Sequence, residues 1–234
     1  MKPIYLYEDN IGKVEYVEHM GSDISIVNAA RVSFGKHKEE LDGKDRKLIK
    51  YLIKHRHTST LEHCLVTFRF KVPLFIRSQH HRHRTWSYNE ISRRYTEENL
   101  QFYQPSSFRT QHKSNRQASN VDHIDPVLGL YEDGGKRLAS ASIRKHHVDS
   151  VFLYNDLMDK GVCREQARGV LPQNLYTEYY GTTCLNNLIK FIELRTHDGA
   201  QWEIQQVANA CLSIVKDLWP VAIESYQEIR GIGH

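Results

Sequence analysis

The sequence of 234 residues lacks most features that mark secreted, membrane-spanning or disulfide-rich proteins. Its four cysteines (Cys64, Cys163, Cys184 and Cys211) are widely spaced and form no Cys-x-x-Cys pair, which argues against a disulfide framework or a zinc finger. No stretch approaches the roughly 20 apolar residues of a membrane span, and the N-terminus lacks the apolar core of a secretory signal. We therefore expect reduced thiols in a soluble, cytoplasmic protein that does not interact with a membrane.

A general excess of positive charge is also missing. The net charge is only +4, although 26% of the residues are charged, so a dedicated nucleic-acid binder is not indicated, because such proteins are more often basic throughout. The hydrophobic content of 40% is ordinary for a globular protein. A chain of this length can bury a sizeable core, and we expect a single domain over residues 1–234.

Apolar periodicity predicts both strands and helices. Strands are expected at 14–19, 64–72 and 175–183. Helices are expected after Asp23 as cap, after Asp45, after Pro73, and over 138–158, 185–194 and 202–218. Residues 57–63 are predicted to form a polar link, and the polar segment 104–126 a mobile surface loop. Without internal repeats or a linker, the pattern favours one α+β domain.

The chain concentrates its positive charge in one place. From Arg77 to Arg94 there are five arginines and three histidines but only one carboxylate, Glu90. A solvated face normally mixes both signs of charge, since like charges repel. The planar guanidinium of arginine donates paired hydrogen bonds that suit a phosphate. This stretch is therefore predicted to bind a phosphate-bearing ligand.

Three other interpretations of the basic stretch stay open. The first is a solvated basic helix face. The second is a single-stranded nucleic-acid-binding module whose aromatic side chains stack on bases, namely Trp86, Tyr88 and Tyr95. The third is a zinc site of His80, His81 and His83, which is disfavoured because neighbouring histidines of a helix point in different directions. We expect no metal and no nucleic-acid partner.

The same stretch resembles the signature of the flavin-dependent thymidylate synthases. It contains Arg82-His83-Arg84, seven further residues and Ser92, and the match continues through Ser87, Asn89, Glu90, Arg94 and Tyr95. The segments 57–63, 164–177 and 194–205 fall where that family has similar runs. The resemblance implies an α/β-type fold with a mixed sheet and flanking helices. It also implies a homotetramer with active sites at subunit interfaces.

The resemblance further implies an activity and its cofactors. The family methylates dUMP to dTMP with 5,10-methylenetetrahydrofolate as carbon donor, NADPH as reductant and FAD as mediator. The flavin-binding positions are then Ser59, Arg82, His83, Arg84, Glu90, Asn186 and Lys190. The nucleotide-binding positions are Gln79, His80, His81, Arg82, Glu90, Ile91, Ser92, Arg93, Arg94, Arg168 and Arg195. Arg195 would be catalytic by favouring the ionised N3 form of uracil, and His57 would lie near the folate and the flavin.

Some positions depart from the family pattern. Cys184 and Lys190 stand where relatives often carry asparagines near the flavin, and Gly199 stands where a histidine is common. These departures leave open a relative that hydroxymethylates the same kind of nucleotide. Glu165 and Arg168, three residues apart on a short helix, are interpreted from spacing alone as a surface ion pair rather than a ligand contact. No cysteine or serine nucleophile is indicated.

Overall fold

A computed structural model describes residues 1–92 and 100–231, which form two compact units. The first unit comprises Met1–Phe70, Gln79–Asn89 and Tyr179–His234, and the second comprises Lys71–Ser78 and Glu90–Glu178. Each contains helices and strands, so the α+β prediction is confirmed. The expectation of a single domain over residues 1–234 stays a prediction.

The first unit contains residues of a five-stranded sheet. In spatial order its strands are Ile4–Tyr5, Lys13–Met20, Leu65–Pro73, Tyr176–Cys184 and Ser87–Glu90. The first two strands pair antiparallel. The helices of this unit are Asp23–Arg31, Gly43–Lys54, Leu185–Arg195, Trp202–Leu218 and Pro220–Arg230. The strands predicted at 14–19, 64–72 and 175–183 are thus confirmed to within two residues.

Strand Leu65–Pro73 shows why alternation predicted it correctly. Val66, Phe68 and Phe70 alternate along it and are at most 1% exposed, as expected when one face of a strand packs on the core. The segment before it differs from the prediction. The polar link at 57–63 contains a 3-10 helix, Thr58–His63, which buries Leu61 completely.

Asp23 does not cap its own helix, contrary to the prediction. Ser22 occupies the N-cap position, and the buried Asp23 carboxylate accepts hydrogen bonds from the backbone N–H groups of Val221 (2.9 Å) and Ala222 (3.0 Å). Burial raises the pKa of Asp23, opposed by these two bonds. The carboxylate therefore satisfies the first turn of helix Pro220–Arg230, where backbone N–H groups lack partners within the helix. That helix was not predicted from the sequence.

Other helix boundaries follow local chemistry. The helix predicted from Asp45 begins two residues earlier, at Gly43, because the Asp42 side chain caps it by accepting from the backbone N–H groups of Lys44 and Asp45. The predicted helix at 138–158 is Ala139–Asp159. It is followed by Gly161 with φ of +85°, a left-handed conformation that glycine adopts readily at helix ends.

The second unit differs from the sequence prediction at 104–126. Instead of a loop without secondary structure, this segment contains strands Phe108–Gln111 and Ser119–Ile124, which pair antiparallel. A second hairpin pairs Val127–Leu130 with Lys136–Leu138. The first hairpin escaped prediction because its polar side chains are mostly exposed, so no alternating apolar face marks it. Its mobility stays a prediction.

Two further segments of the second unit contribute residues to the candidate site. A short helix, Arg164–Ala167, continues into a 3-10 turn, Arg168–Val170. The backbone N–H groups of Leu74 and Phe75 donate to the carbonyl groups of Leu175 and Gln173. No helix within residues 1–92 and 100–231 is long and apolar enough to cross a membrane.

Candidate active site

Two arginines in the middle of the basic stretch, Arg82 and Arg84, lie on the surface. After helix Leu74–His80 the chain turns and forms strand Ser87–Glu90. Arg82 and Arg84 are exposed in this turn, and their side chains make no ion pair or hydrogen bond with any other described residue. Two guanidinium groups without an internal partner are available to an external anion. Arg93, Arg94 and Tyr95 lie outside the described residues.

The histidines beside these arginines have a different role. His80 is 0% exposed, and its Nδ1 atom shares a 2.8 Å hydrogen bond with the Tyr179 hydroxyl. Burial, followed by the charges of His83 and His81, lowers the pKa of His80 well below its usual value. The ring of His81 stacks on Tyr88 at 4.0 Å between centroids. Among the described residues no three His, Cys, Asp or Glu side chains are arranged to hold a metal ion.

The aromatic residues of the stretch belong to the same cluster. Trp86 is 6% exposed and packs edge-on against the His80 ring, with 4.6 Å between centroids. The Tyr88 hydroxyl donates to the carbonyl oxygens of His80 (3.0 Å) and His83 (3.1 Å). A buried indole is not available to stack on a base. The geometry therefore does not favour the nucleic-acid module.

Arg195 is held in place by the basic stretch. It is the last residue of helix Leu185–Arg195 and is half-buried. Its Nε–H donates to His83 Nε2 at 3.2 Å, and its Nη2 donates to the Gln79 carbonyl oxygen at 3.4 Å. Burial lowers the pKa of Arg195 from its ordinary value, yet a guanidinium stays charged in proteins. Of its five N–H donors, three make no hydrogen bond to the part of the chain that the structure describes and remain for a ligand.

His83 must be neutral to accept this bond. Burial and the Arg195 charge lower the pKa of His83 to about 4, against about 6.5 in an unfolded chain. Because the unfolded chain takes up the proton first, the stability that neutral His83 contributes is present above about pH 6.5. It is lost as the pH falls to about 4.

We therefore expect His83→Gln to flatten the acid limb of the stability curve. Glutamine keeps an acceptor for Arg195 but does not titrate, so its free energy of unfolding should fall less steeply between about pH 6.5 and 4. Urea unfolding across this range measures the difference, with exposed His63→Gln as the matched control. Parallel curves for wild type and His83→Gln would contradict the assignment.

Glu90 is the carboxylate of the second unit that the resemblance places in the site. Its Oε1 accepts a 2.6 Å hydrogen bond from the Thr177 hydroxyl and lies 3.2 Å from Arg77 Nε. The next residue, Ile91, donates its N–H to the Glu178 carbonyl. Arg77 and Thr177 were not predicted as site residues. The only sequence signal was the position of Arg77 at the start of the arginine cluster.

A cavity of about 500 Å³ lies beside Glu90, entirely within the second unit. It is lined by Leu74, Arg77, Glu90, Ile91, Ser92, Glu165, Arg168, Gly169, Leu171, Gln173, Leu175, Tyr176 and Thr177. Four of the predicted nucleotide-binding positions, Glu90, Ile91, Ser92 and Arg168, thus meet in one place. Glu165 and Arg168 form no ion pair with each other or with another described residue, so the surface ion pair expected from their spacing is wrong.

The remaining flavin positions lie in the first unit. Ser59 and His57 are exposed, and His57 stacks on Tyr51 with 6.1 Å between ring centroids. Asn186 is buried and donates to Glu62 Oε1 at 3.0 Å, whereas Lys190 is exposed and reaches Asn187 at 3.4 Å. That these residues contact a flavin stays a prediction.

The family of the chain follows from comparison with known proteins. Residues 15–221 match the family described as thymidylate synthase complementing protein. The chain is 44% identical over 217 residues to a flavin-dependent thymidylate synthase of Thermus thermophilus, covering 93% of this chain and 76% of that protein. This protein belongs to the flavin-dependent thymidylate synthases. Membership implies a flavin cofactor.

A second relative and a solved structure support the same assignment. The flavin-dependent thymidylate synthase of Kosmotoga olearia is 41% identical over 222 residues, or 95% of this chain and 93% of that protein. The crystal structure of a UMP/dUMP methylase, PolB, from Streptomyces cacaoi bound with 5-Br dUMP superposes with a TM-score of 0.81 at 32% identity. It covers 99% of this chain and 100% of that chain.

The cysteines of this flavin-dependent thymidylate synthase are not suited to nucleophilic attack. All four are free, and Cys64 and Cys211 are buried. Burial raises the pKa of Cys64 to about 12 and raises that of Cys211 further, so neither thiol ionises near neutral pH. Cys184 is half-buried and precedes helix Leu185–Arg195.

We expect Cys184→Ser to retain about wild-type turnover, because no covalent thiol step is needed when a flavin supplies the redox chemistry. Steady-state kinetics with dUMP measures this, and Cys163→Ser, at an exposed cysteine, is the control. Loss of activity in Cys184→Ser alone would reopen covalent catalysis by a thiol.

Proposed function

We propose that the protein methylates C5 of dUMP to give dTMP, with 5,10-methylenetetrahydrofolate as carbon donor, NADPH as reductant and FAD as bound cofactor. The observation that carries the proposal is Arg195, a half-buried guanidinium fixed by His83 and Gln79, with three N–H donors that no other described residue uses. The protein would be a homotetramer in the cytoplasm. Residues of more than one subunit would complete each site.

The role of Arg195 follows from its charge and its fixed position. A cation within a few Å of an acidic group lowers its pKa by roughly 1–3 units. Placed against the uracil ring, Arg195 would stabilise negative charge after loss of the N3 proton, and this makes C5 more nucleophilic. His83 accepts one hydrogen bond from Arg195. It therefore fixes the guanidinium and leaves the other N–H donors of Arg195 for the substrate.

We infer that the cavity of the second unit binds the phosphate of the nucleotide. Arg168 lines it without an ion pair to a described residue, and the Ser92 side chain lines it as well. Charge-assisted hydrogen bonds to a phosphate are about twice as strong as neutral ones. Arg77, in contrast, is already paired with Glu90 at 3.2 Å. We therefore assign phosphate binding to Arg168 and Ser92, with Arg94 as a further predicted ligand.

The residues present also suit FAD. The side chains of Arg82 and Arg84 are exposed cations without a partner among the described residues, and Lys190 and Ser59 add exposed donors. This donor set matches the chemistry of a diphosphate. When bound, the flavin supplies the hydride chemistry that reduces the transferred carbon. The side chains of the protein would orient the nucleotide and polarise its base.

Methylation of UMP is a second candidate activity. It is favoured by the structural similarity to PolB, which is described as a UMP/dUMP methylase and has also been crystallised with 5-Br UMP. That second structure superposes with a TM-score of 0.79 at 32% identity. A ribonucleotide differs from dUMP only by its 2′-hydroxyl, which one side chain in a site can accept or reject.

Spectroscopy tests the proposal on the purified protein. We expect flavin absorbance and NADPH oxidation that requires both methylenetetrahydrofolate and a uridine nucleotide. Omitting each component in turn identifies the co-substrates, and replacing dUMP with UMP distinguishes the two candidates. A protein that takes up no flavin and oxidises no NADPH with either nucleotide would contradict both.

A further inference from the structure

A chain of side-chain amides joins a buried carboxylate to a predicted nucleotide-binding residue within the first unit. Glu203, in the first turn of helix Trp202–Leu218, is 4% exposed. Its Oε2 accepts a 2.9 Å hydrogen bond from Gln201 Nε2. Gln201 Oε1 in turn accepts a hydrogen bond from Gln79 Nε2. Neither Gln201 nor Glu203 was predicted as a site residue.

The Glu203 carboxylate fixes the orientation of the two side-chain amides, Gln201 and Gln79. A side-chain amide can turn over and exchange its oxygen with its NH2 group. The NH2 group of Gln201 faces Glu203 and donates to it, which is the arrangement that a carboxylate able only to accept hydrogen bonds requires. The oxygen of Gln201 then faces Gln79, which must use its own NH2 group to reach it. The remaining acceptor, Gln79 Oε1, has no hydrogen bond to another described residue.

The backbone of Gln79 is fixed as well. Its carbonyl oxygen accepts from Arg195 Nη2 at 3.4 Å, so the proposed catalytic guanidinium and the amide chain meet at the same residue. Gln79 therefore carries an oxygen of known orientation beside a cation of known orientation. Reversing the amide would replace this acceptor with a donor and change what the site can recognise.

We propose that Glu203 is a positioning residue that holds Gln79 with its Oε1 directed at the nucleotide. This inference rests on the proposed function, because Gln79 is taken to contact dUMP. An acceptor recognises a hydrogen-bond donor. The nucleoside offers two before N3 loses its proton, the N3–H of uracil and the 3′-hydroxyl, whereas a phosphate dianion offers none. Gln79 thus binds the nucleoside part of dUMP, and Glu203 acts on specificity without touching the ligand.

A double-mutant cycle without nucleotide tests the direction of the chain. In Gln79→Glu, Gln201 lies between two carboxylates. Its single NH2 group can face only one of them, so one of the two hydrogen bonds is lost. In Glu203→Gln, Gln201 is free to turn over. The double variant should therefore melt about 2–6 °C above the value expected from adding the two single shifts. Additive melting temperatures would overturn the proposal. Glu224→Gln, at an exposed glutamate on helix Pro220–Arg230, controls for the lost charge.

Ligand titration of the flavin-loaded protein tests the consequence. Glu203→Gln should weaken dUMP binding about 5- to 10-fold, the effect of one hydrogen bond, and leave inorganic phosphate binding unchanged. The difference in affinity between Glu203→Gln and wild type should vanish for one of two analogues, either 3-methyl-dUMP or 2′,3′-dideoxyuridine monophosphate. The analogue that both proteins bind equally well lacks the donor that Gln79 recognises. The proposal would be overturned if Glu203→Gln bound dUMP as tightly as wild type, or if it lost as much affinity for inorganic phosphate as for dUMP. It would also be overturned if the substitution weakened binding of both analogues as much as that of dUMP.

The two experiments fail for different reasons. If wild-type protein binds no dUMP, the proposed function is wrong, yet the melting cycle still reports whether Glu203 directs the Gln79 amide. If dUMP is bound and methylated but the cycle is additive, the activity stands and the positioning role of Glu203 does not.

Discussion

Replacing Arg195 with alanine is expected to abolish dTMP formation while the flavin stays bound. The half-buried guanidinium is held by His83 and by the Gln79 carbonyl, so in the proposed role it would meet the uracil ring without reorganisation. Removing one preorganised donor at a developing negative charge typically costs about 100- to 1,000-fold in rate. Here the same group also carries the positive charge that favours loss of the N3 proton, so the loss should reach the upper end of this range.

Arg195→Lys separates the charge from the geometry. Lysine keeps the cation but cannot donate to His83 and to a ligand with the planar fork of a guanidinium, so we expect an intermediate rate. Single-turnover kinetics and flavin absorbance are measured for both variants. An Arg195→Ala enzyme with wild-type turnover would remove Arg195 from the catalytic role. A variant that loses its flavin would indicate a cofactor-binding role instead.

Arg168→Ala is expected to weaken dUMP binding by about 1.5–3 kcal/mol, which corresponds to about 10- to 150-fold in affinity. Arg168 lines the cavity of the second unit and makes no ion pair with any other described residue, so its charge is available to a phosphate. The affinity of the variant should also depend less on salt, since one charged contact is lost.

The control for this variant is Arg144→Ala. Arg144 is exposed on helix Ala139–Asp159 and does not line the cavity, so its loss changes the net charge alone. Calorimetric titration with dUMP and with 2′-deoxyuridine distinguishes the two arginines. Arg168→Ala should lose affinity for dUMP but not for 2′-deoxyuridine. Equal affinities of Arg168→Ala and wild type for dUMP would contradict the phosphate assignment.

Local sequence patterns predicted the elements that one helix or strand face defines. Strand Leu65–Pro73 and helix Trp202–Leu218 were found because buried side chains recur at the period of each structure. Helix Pro220–Arg230 was missed because Pro220 was taken only as a stop, although proline also suits the first turn of a helix. Its partner Asp23 lies 198 residues earlier, and no local pattern reports a contact of that length.

Some features of the candidate site could likewise be predicted from the sequence, and others could not. The exposure of Arg82 and Arg84 and the position of Arg168 in a cavity agree with a site built from residue types and a family signature. The burial of His80 could not be inferred, since it depends on Tyr179, 99 residues away. The amide chain from Glu203 to Gln79 was equally hidden, because it joins two segments 122 residues apart.

The most direct test is the mass of the nucleotide formed from dUMP, methylenetetrahydrofolate and NADPH by the flavin-loaded protein. We expect a product heavier than dUMP by one CH2 group and identical to dTMP, with the added carbon derived from isotopically labelled folate. Unchanged dUMP, or a product that carries a hydroxymethyl group in place of the methyl, would contradict the account.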